Sequence, residues 1–187
     1  MTRAFAFELD AFIQACRVAL LDGSPEKAMR EVVARAVSEP AAVLRALGEP
    51  VRAGLVPLHR SEELTIMNVV WGPGMTVRPH DHRMWATIGI YTGREDNIFW
   101  RRIEDEQSGK VEARGARSLS AGDCVTLGRE IIHSVTNPIP RLSGAIHVYG
   151  GNLAAVARSE WDPESLLERP YDSERTARDF ESANERR

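Results

Sequence analysis

The first fifty residues place apolar side chains three and four positions apart, which is the spacing of one face of an α-helix. Gly23 interrupts this pattern, and Ser24 followed by Pro25 is typical of the start of a new helix. A third, short helix is predicted to end at Gly48. The three apolar stripes are Phe5, Leu9, Phe12, Ile13, Cys16 and Leu20; Met29, Val32, Val33 and Ala36; and Val43, Leu44 and Leu47.

From about residue 54 to residue 157 the pattern changes to short apolar or alternating runs that Gly, Pro, Asp and Ser separate. Runs of this spacing predict many short strands, typical of an all-β sandwich or barrel rather than a parallel sheet with crossover helices. The segment EDEQSGK, residues 104–110, is predicted to be the tip of a hairpin. The apolar runs are LTIMNVVW, WATIGIY, NIFWRRI, CVTL and GAIHVYG.

These patterns of apolar and polar residues divide the chain into three zones, which we expect to form one compact domain. Residues 1–50 are predicted to form an N-terminal helical segment, 51–158 a β-barrel and 159–187 a charged C-terminal tail. The tail has few apolar residues besides the run ESLLER. We therefore expect it to be either a solvated helix or partly disordered.

Composition excludes several classes of function. The chain has 187 residues, a formal net charge of −3 and a sequence pI of about 6.0, so it lacks the basic surface that nucleic-acid binding needs. Its two cysteines cannot form a framework of disulfides, which predicts a reducing, cytoplasmic location. Glu8 and Asp10 interrupt the start where a signal peptide would be apolar. With no apolar run of about 18 residues, no membrane association is expected.

The candidate chemistry is concentrated in residues 71–93, WGPGMTVRPHDHRMWATIGIYTG. His80 and His82 are two positions apart, so on an extended strand both imidazoles point to the same face, whereas Asp81 points to the other. Imidazole is a good ligand for Fe, Zn, Cu and Ni. The pair therefore predicts half of a metal site, although two histidines on a strand also occur for packing alone.

Two motifs around these histidines resemble those of the cupin superfamily. The first cupin motif is G-x5-H-x-H-x3/4-E-x6-G, and the second is G-x5-P-x-G-x2-H-x3-N. The first is matched except at its glutamate, which is Ala86 here, and the second except at its proline and second glycine, which are Gly128 and Glu130. The matching residues are Gly74, His80, His82 and Gly93, and Gly122, His133 and Asn137. The resemblance implies a mainly β fold, the cupin double-stranded β-helix or jelly-roll barrel, with N-terminal helices.

The missing glutamate changes the predicted metal site. Cupins commonly bind metal through three histidines and one glutamate, but here His80, His82 and His133 remain as three neutral ligands. Such a site leaves coordination positions open and favours an anionic ligand such as a thiolate. The three-histidine variant resembles the thiol dioxygenases, the cysteine dioxygenase-like family. The stretch WGPGMTVRPHDH is similar to that family's W-G-x-G-x5-H-D-H segment.

Further residues extend this resemblance. The run HVY, which contains His147 and Tyr149, is similar to the family's H-x-Y. The resemblance implies that Tyr149 lies beside the substrate and that His147 supports it, and the period of two places both on one strand face. The alternatives are a core histidine bonded to a backbone carbonyl and a tyrosine that only fills the barrel.

Two arginines are candidates for binding a substrate carboxylate. The tripeptide ending at Arg60 resembles the family segment that carries such an arginine, and a guanidinium matches a carboxylate bidentately. Arg78 is an even number of positions from His80 and His82, so on a strand it points to the same face as they do. It is therefore the alternative to Arg60 for binding the carboxylate. The alternative for Arg60 is a surface or interface arginine.

Two positions depart from the family. Thr87 occupies the place of a cysteine that is crosslinked to the tyrosine in some members, so no Cys–Tyr crosslink is expected. Ala145 occupies the place of the serine that bonds the histidine, although Ser143 lies two residues earlier. We therefore expect the serine–histidine–tyrosine relay to be incomplete or rearranged.

The resemblance implies an Fe(II)-dependent dioxygenase that oxidises a small thiol, similar to cysteine or 3-mercaptopropionate, to its sulfinic acid with O₂. Ni, Zn or Mn can also occupy such a site in a purified sample. The alternatives are another metal-dependent cupin enzyme, either a dioxygenase cleaving a carbon–carbon bond or an isomerase, and a non-catalytic cupin that binds a metal or ligand. The sequence is compatible with a homo-oligomer and leaves the oligomeric state open.

Overall fold

The computed structural model describes residues 6–104 and 109–186, and its first elements are three helices. They span Leu9–Ala19 (α1), Pro25–Val37 (α2) and Pro40–Leu47 (α3). These bounds confirm the three predicted helices, apart from Phe5, which lies outside the described residues. Ser24 occupies the N-cap of α2 without a side-chain cap bond, and Gly48 ends α3 with φ of 84°. Across the described ranges, no helix is both long and apolar enough to cross a membrane.

Eleven strands in the described ranges form two antiparallel sheets. They span Gly54–Arg60 (β1), Thr65–Trp71 (β2), Thr76–Asp81 (β3), Ala86–Thr92 (β4), Arg94–Arg102 (β5), Val111–Ser120 (β6), Cys124–Leu127 (β7), Ile132–Thr136 (β8), Ser143–Tyr149 (β9), Ser159–Trp161 (β10) and Glu168–Pro170 (β11). One sheet has the order β1-β2-β9-β4-β7 and the other β11-β10-β3-β8-β5-β6. This arrangement confirms the predicted mainly β jelly-roll barrel with N-terminal helices.

The five-stranded sheet is covered on both faces. Its outer face packs against the helices, and its inner face packs against the six-stranded sheet. Strands β2, β4 and β9 are consequently buried along nearly their whole length. This explains why the run WATIGIY shows no strict alternation of apolar and polar residues, since both of its faces are inside the protein.

The C-terminal residues close one end of the barrel. Strand β10 pairs with β3, where Glu160 lies opposite His80. The last helix, α4, spans Ser173–Glu185, and it buries Thr176, Phe180 and Ala183. The ring of Phe180 stacks on that of Trp71, with 5.4 Å between centroids. The predicted charged tail is therefore neither disordered nor fully solvated over its described residues, because three well-spaced side chains give the helix a buried face.

The predicted hairpin tip joins β5 to β6, which pair antiparallel along their length. The backbone N–H of Ile103 donates to the carbonyl of Lys110 at 3.0 Å, next to the tip. Residues 105–108 lie outside the described part of the chain.

The contact between α2 and β4 depends on a glycine. A Cβ atom on Gly89 would lie 2.6 Å from Val33 Cγ1 and 2.8 Å from Val37 Cγ1. Valine is stiff at χ1, so neither methyl group can move away cheaply.

We expect Gly89→Ala to lower the free energy of unfolding by roughly 1–3 kcal/mol, measured by urea denaturation. Gly115→Ala is the matched control, because a Cβ there meets no heavy atom within 4 Å. Equal loss in both variants would contradict the packing argument.

Candidate metal centre

Three histidines converge between the two sheets. His80 on β3 lies directly opposite His133 on β8, and His82 follows one residue after the end of β3. One nitrogen from each ring lies within 4.8 Å of the other two, and Nε2 of His82 and Nε2 of His133 are 3.4 Å apart. All three side chains are buried. The structure thus brings together the three residues that the sequence predicted as metal ligands.

Asp81 faces away from this cluster, as its strand position predicts. One of its carboxylate oxygens accepts a hydrogen bond from the backbone N–H of Ser159 at 2.8 Å, and the other pairs with Arg83 at 2.7 Å. The position of the motif's glutamate is held by Ala86 on β4, which lies opposite Tyr149 on the neighbouring strand β9 of the five-stranded sheet. Among the described residues, the cluster therefore contains imidazoles and no carboxylate.

Hydrogen bonds on the far side of two rings determine which nitrogen faces the centre. Nδ1 of His80 lies 3.0 Å from the carbonyl oxygen of Arg78, and because a carbonyl only accepts, Nδ1 must carry the proton. Nδ1 of His133 lies 2.8 Å from Oδ1 of Asn97 and donates in the same way. Both rings then present an unprotonated Nε2 to the centre, the tautomer that a metal ligand needs.

The surroundings also keep the imidazoles neutral. Burial, opposed by the hydrogen bond to the carbonyl of Arg78 and reinforced by the charge of Arg158, lowers the pKa of His80 to about 4. Burial, followed by the neighbouring imidazoles, lowers the pKa of His82 well below its usual range, and His133 is lowered in the same way. At neutral pH the three lone pairs are therefore available to a cation. Such a donor set fits Fe, Zn, Cu or Ni and leaves coordination positions open.

His147 and Tyr149 reach the centre from the opposite sheet, on β9. Nδ1 of His147 lies 3.0 Å from the hydroxyl oxygen of Tyr149, and the Tyr149 ring lies 5.0 Å from that of His82. Both side chains line the same cavity as the three histidines. Burial raises the pKa of Tyr149, so its hydroxyl stays protonated. The structure brings these two predicted residues to the centre, while their roles remain predictions.

The residue that completes this relay was missed from the sequence. Ser143 is engaged elsewhere, since its hydroxyl accepts from the backbone N–H of Arg94 at 2.9 Å and bonds Asn137. Instead, Glu95 on β5 lies with Oε1 3.5 Å from Nε2 of His147. Thr87, the residue at the position of the family's crosslinked cysteine, forms a hydrogen bond between its hydroxyl and that of Thr126 at 3.1 Å. Glu95 precedes the apolar run NIFWRRI and therefore gave no signal of burial in the sequence, and its partner is 52 residues away.

The cavity beside the histidines is small, with a volume of about 90 Å³. Its other walls are mostly apolar and aromatic, and they include two residues of α4. The lining consists of Leu55, Met67, Val69, Trp71, Val77, Val135, Leu153, Arg158, Tyr171, Thr176 and Phe180, together with the histidines and Tyr149. Arg158 is the cation in this lining.

Neither arginine predicted from the sequence lines this cavity. Arg78 faces Glu160 at 3.8 Å and Asp179 at 3.5 Å. Arg60 is exposed at the end of β1 and lines a neighbouring outer depression, which Arg158 also borders. The guanidinium of Arg158 lies 3.8 Å from the centroid of the Tyr171 ring. Sequence reasoning missed Arg158 because it lies in a loop, where no strand parity relates it to the histidines.

No family model matches the chain. An RmlC-like cupin family protein with a double-stranded β-helix fold from Methanocaldococcus jannaschii is 13% identical over 57% of this chain and 87% of its own, with a TM-score of 0.46. BH2720 from Bacillus halodurans is 14% identical over 54% of this chain and 71% of its own, with a TM-score of 0.46. Oxalate decarboxylase from Bacillus subtilis, which has Mn(II) centres, is 16% identical over 49% of this chain and 22% of its own, with a TM-score of 0.39. Because these sequence identities and TM-scores are low, the comparisons say nothing about the site, which is described from this chain's own residues.

Acidification is expected to destabilise the metal-free protein. The pKa of His80 is about 4 when folded, against 6.5 for an ordinary imidazole, so below pH 6.5 the unfolded chain takes up a proton that the folded site rejects. From about pH 7 to about pH 5, this residue alone lowers the free energy of unfolding by about 2 kcal/mol. Urea denaturation of chelator-treated protein at both pH values measures the loss.

The control for this experiment is His80→Asn, which removes the titrating ring. Its stability should fall less over the same interval than that of the wild type. An unchanged pH dependence in the variant would show that His80 does not reject its proton in the folded state.

Proposed function

We propose that this chain is an Fe(II)-dependent thiol dioxygenase that converts a small thiol bearing a carboxylate into its sulfinic acid, R–SH + O₂ → R–SO₂H. The observation that carries the proposal is a cluster of three neutral imidazoles, joined by no carboxylate from the described part of the chain, in a small cavity that is also lined by Tyr149 and Arg158. The resemblance to thiol dioxygenases in the sequence points to the same chemistry.

His80, His82 and His133 would hold the metal. A ferrous ion there would supply the electrons that dioxygen activation needs and a positive charge that attracts a thiolate. Because the imidazoles bring no negative charge, they leave that positive charge undiminished. This favours an anionic substrate group, whereas a fourth, carboxylate ligand would weaken the attraction.

Arg158 is suited to bind the carboxylate of the substrate. It lines the cavity, and its charge is felt by His80, His82 and Tyr149. Within the described residues no carboxylate lies within ion-pair distance of its guanidinium, so its hydrogen-bond donors are available to a ligand. Tyr171 restrains the guanidinium plane by stacking against it.

Tyr149 is positioned to contact a substrate bound between the histidines and Arg158. Its protonated hydroxyl faces the cavity, and its bond to His147 restricts its rotation. The apolar side chains around it limit water access during the reaction. The volume of about 90 Å³ suits a small molecule, because larger ligands occupy pockets of roughly 300–1,000 Å³.

Oxygen uptake tests the reaction directly. The purified chain is loaded with ferrous iron without air and then given cysteine, 3-mercaptopropionate or cysteamine in buffer containing O₂. We expect at least one carboxylate-bearing thiol to yield its sulfinate, identified by mass spectrometry. The uptake measurement should show one O₂ consumed for each sulfinate formed. His133→Ala, which removes one ligand, should bind less iron and lose activity. Full iron loading without sulfinate from any thiol would overturn the proposal.

Arginine variants test which side chain binds the carboxylate. Replacing Arg158 by Gln removes a charge-assisted hydrogen bond, so KM for a carboxylate-bearing thiol should rise about 10- to 100-fold. Cysteamine, which has no carboxylate, should show no comparable change. The matched control is Arg60→Gln, in the outer depression, and it should leave KM nearly unchanged. The reverse pattern would assign the role to Arg60.

A further inference from the structure

A fully buried carboxyl group spans the interior of the barrel behind the tyrosine. Glu95 on β5 has no exposed surface, and its Oε1 accepts the indole N–H of Trp71 from β2 at 2.5 Å. The same oxygen lies 3.5 Å from Nε2 of His147 on β9. Glu95 therefore connects the six-stranded sheet to two strands of the other sheet through a single oxygen atom.

The direction of these hydrogen bonds follows from the chemistry of the donors. An indole N–H can only donate, so Oε1 of Glu95 must be an acceptor. As a carboxylate oxygen, Oε1 has no proton to donate, so His147 donates to it through Nε2–H. A neutral imidazole with its proton on Nε2 has an acceptor at Nδ1, and the hydroxyl of Tyr149 lies 3.0 Å from that nitrogen.

We propose that Glu95 is the positioning residue of the cavity: it holds His147 as its Nε2–H tautomer, so that the hydroxyl of Tyr149 donates a hydrogen bond to Nδ1 of His147. The lone pairs of the Tyr149 oxygen then face the cavity, where they accept a hydrogen bond from a ligand. Only the kinetic part of this inference rests on the proposed thiol dioxygenase function.

The cost of burying Glu95 supports a specific role. A carboxyl group inside a protein destabilises the fold unless its oxygens are hydrogen-bonded. Its second oxygen, Oε2, has no hydrogen-bond partner among the described residues. The structure thus keeps a polar group whose one satisfied oxygen is the one directed at Trp71 and His147.

Two substitutions separate the acceptor from the charge. Glu95→Gln keeps an oxygen at Oε1 and places the amide at Oε2, so it should preserve both hydrogen bonds. Glu95→Leu has a similar size and removes the acceptor. Thr87→Val is the matched control, because it removes a partly buried hydrogen bond to Thr126, and neither threonine belongs to the relay or lines the cavity.

The first measurement does not depend on activity. Long-range ¹H–¹⁵N NMR of the metal-free protein reports which nitrogen of the His147 ring carries the proton, with His147→Gln assigning the signals. We expect protonated Nε2 and unprotonated Nδ1 in the wild type, Glu95→Gln and Thr87→Val, and a changed or mixed tautomer in Glu95→Leu. The same tautomer in Glu95→Leu and wild type, or a doubly protonated ring in the wild type, would overturn the inference.

The second measurement is kinetic. In the iron-loaded protein, Glu95→Leu should lower kcat about 10- to 100-fold with little change in KM, because the substrate anchor is intact and only Tyr149 is misoriented. Glu95→Gln should restore kcat to within about threefold of the wild type. Equal kcat in Glu95→Leu and wild type would contradict the positioning role. If the wild type oxidises no thiol, the function fails, and the NMR result still decides the role of Glu95.

Discussion

The centre of this protein depends on hydrogen bonds that lie behind the imidazoles rather than on the imidazoles alone. Enclosing polar rings between two sheets is costly unless each ring has a partner. The carbonyl of Arg78 and the side chain of Asn97 provide such partners for His80 and His133, and they also select the nitrogen that faces inward. Burial then keeps the rings neutral. Together these effects produce a preformed set of three donors that could hold a metal ion.

Two layers around the barrel set the size of the cavity. The N-terminal helices cover the outer face of the five-stranded sheet, while His147 and Tyr149 line the cavity on its inner face. On the other side, α4 packs Phe180 against Trp71, and both rings form part of the cavity wall. Strand β10 connects the C-terminal residues to β3, the strand that carries His80, since Glu160 lies opposite His80. The charged C-terminal residues are therefore part of the site's architecture.

Several features of the site were accessible from the sequence because they follow from local geometry. The alternation of side chains along a strand placed His80 and His82 on one face and Asp81 on the other, and the structure has this arrangement. The same rule paired His147 with Tyr149. Motif spacing added His133 to the set, through a resemblance that extended over two separated segments.

Other features were not accessible, because they depend on which strands become neighbours. Glu95 meets His147 across the interior, from the opposite sheet, and no periodicity relates the two positions. Arg158 reaches the cavity from a loop. The resemblance directed attention to Arg60, but the structure leaves that side chain at the outer depression. The buried face of α4 was hidden in a charged segment, where Phe180 is a single large apolar residue among many polar ones.

The sequence by itself determined the three N-terminal helices, the β-rich middle of the chain and the histidines able to bind a metal, since periods of 3.6 and 2 and the chemistry of imidazole are properties of short segments. Only the tertiary structure decided what surrounds those residues: which oxygen orients His147, which arginine enters the cavity and which helix closes it. The physical reason is that side chains from distant segments meet only after the two sheets have packed, and burial then makes each of their hydrogen bonds and charges matter.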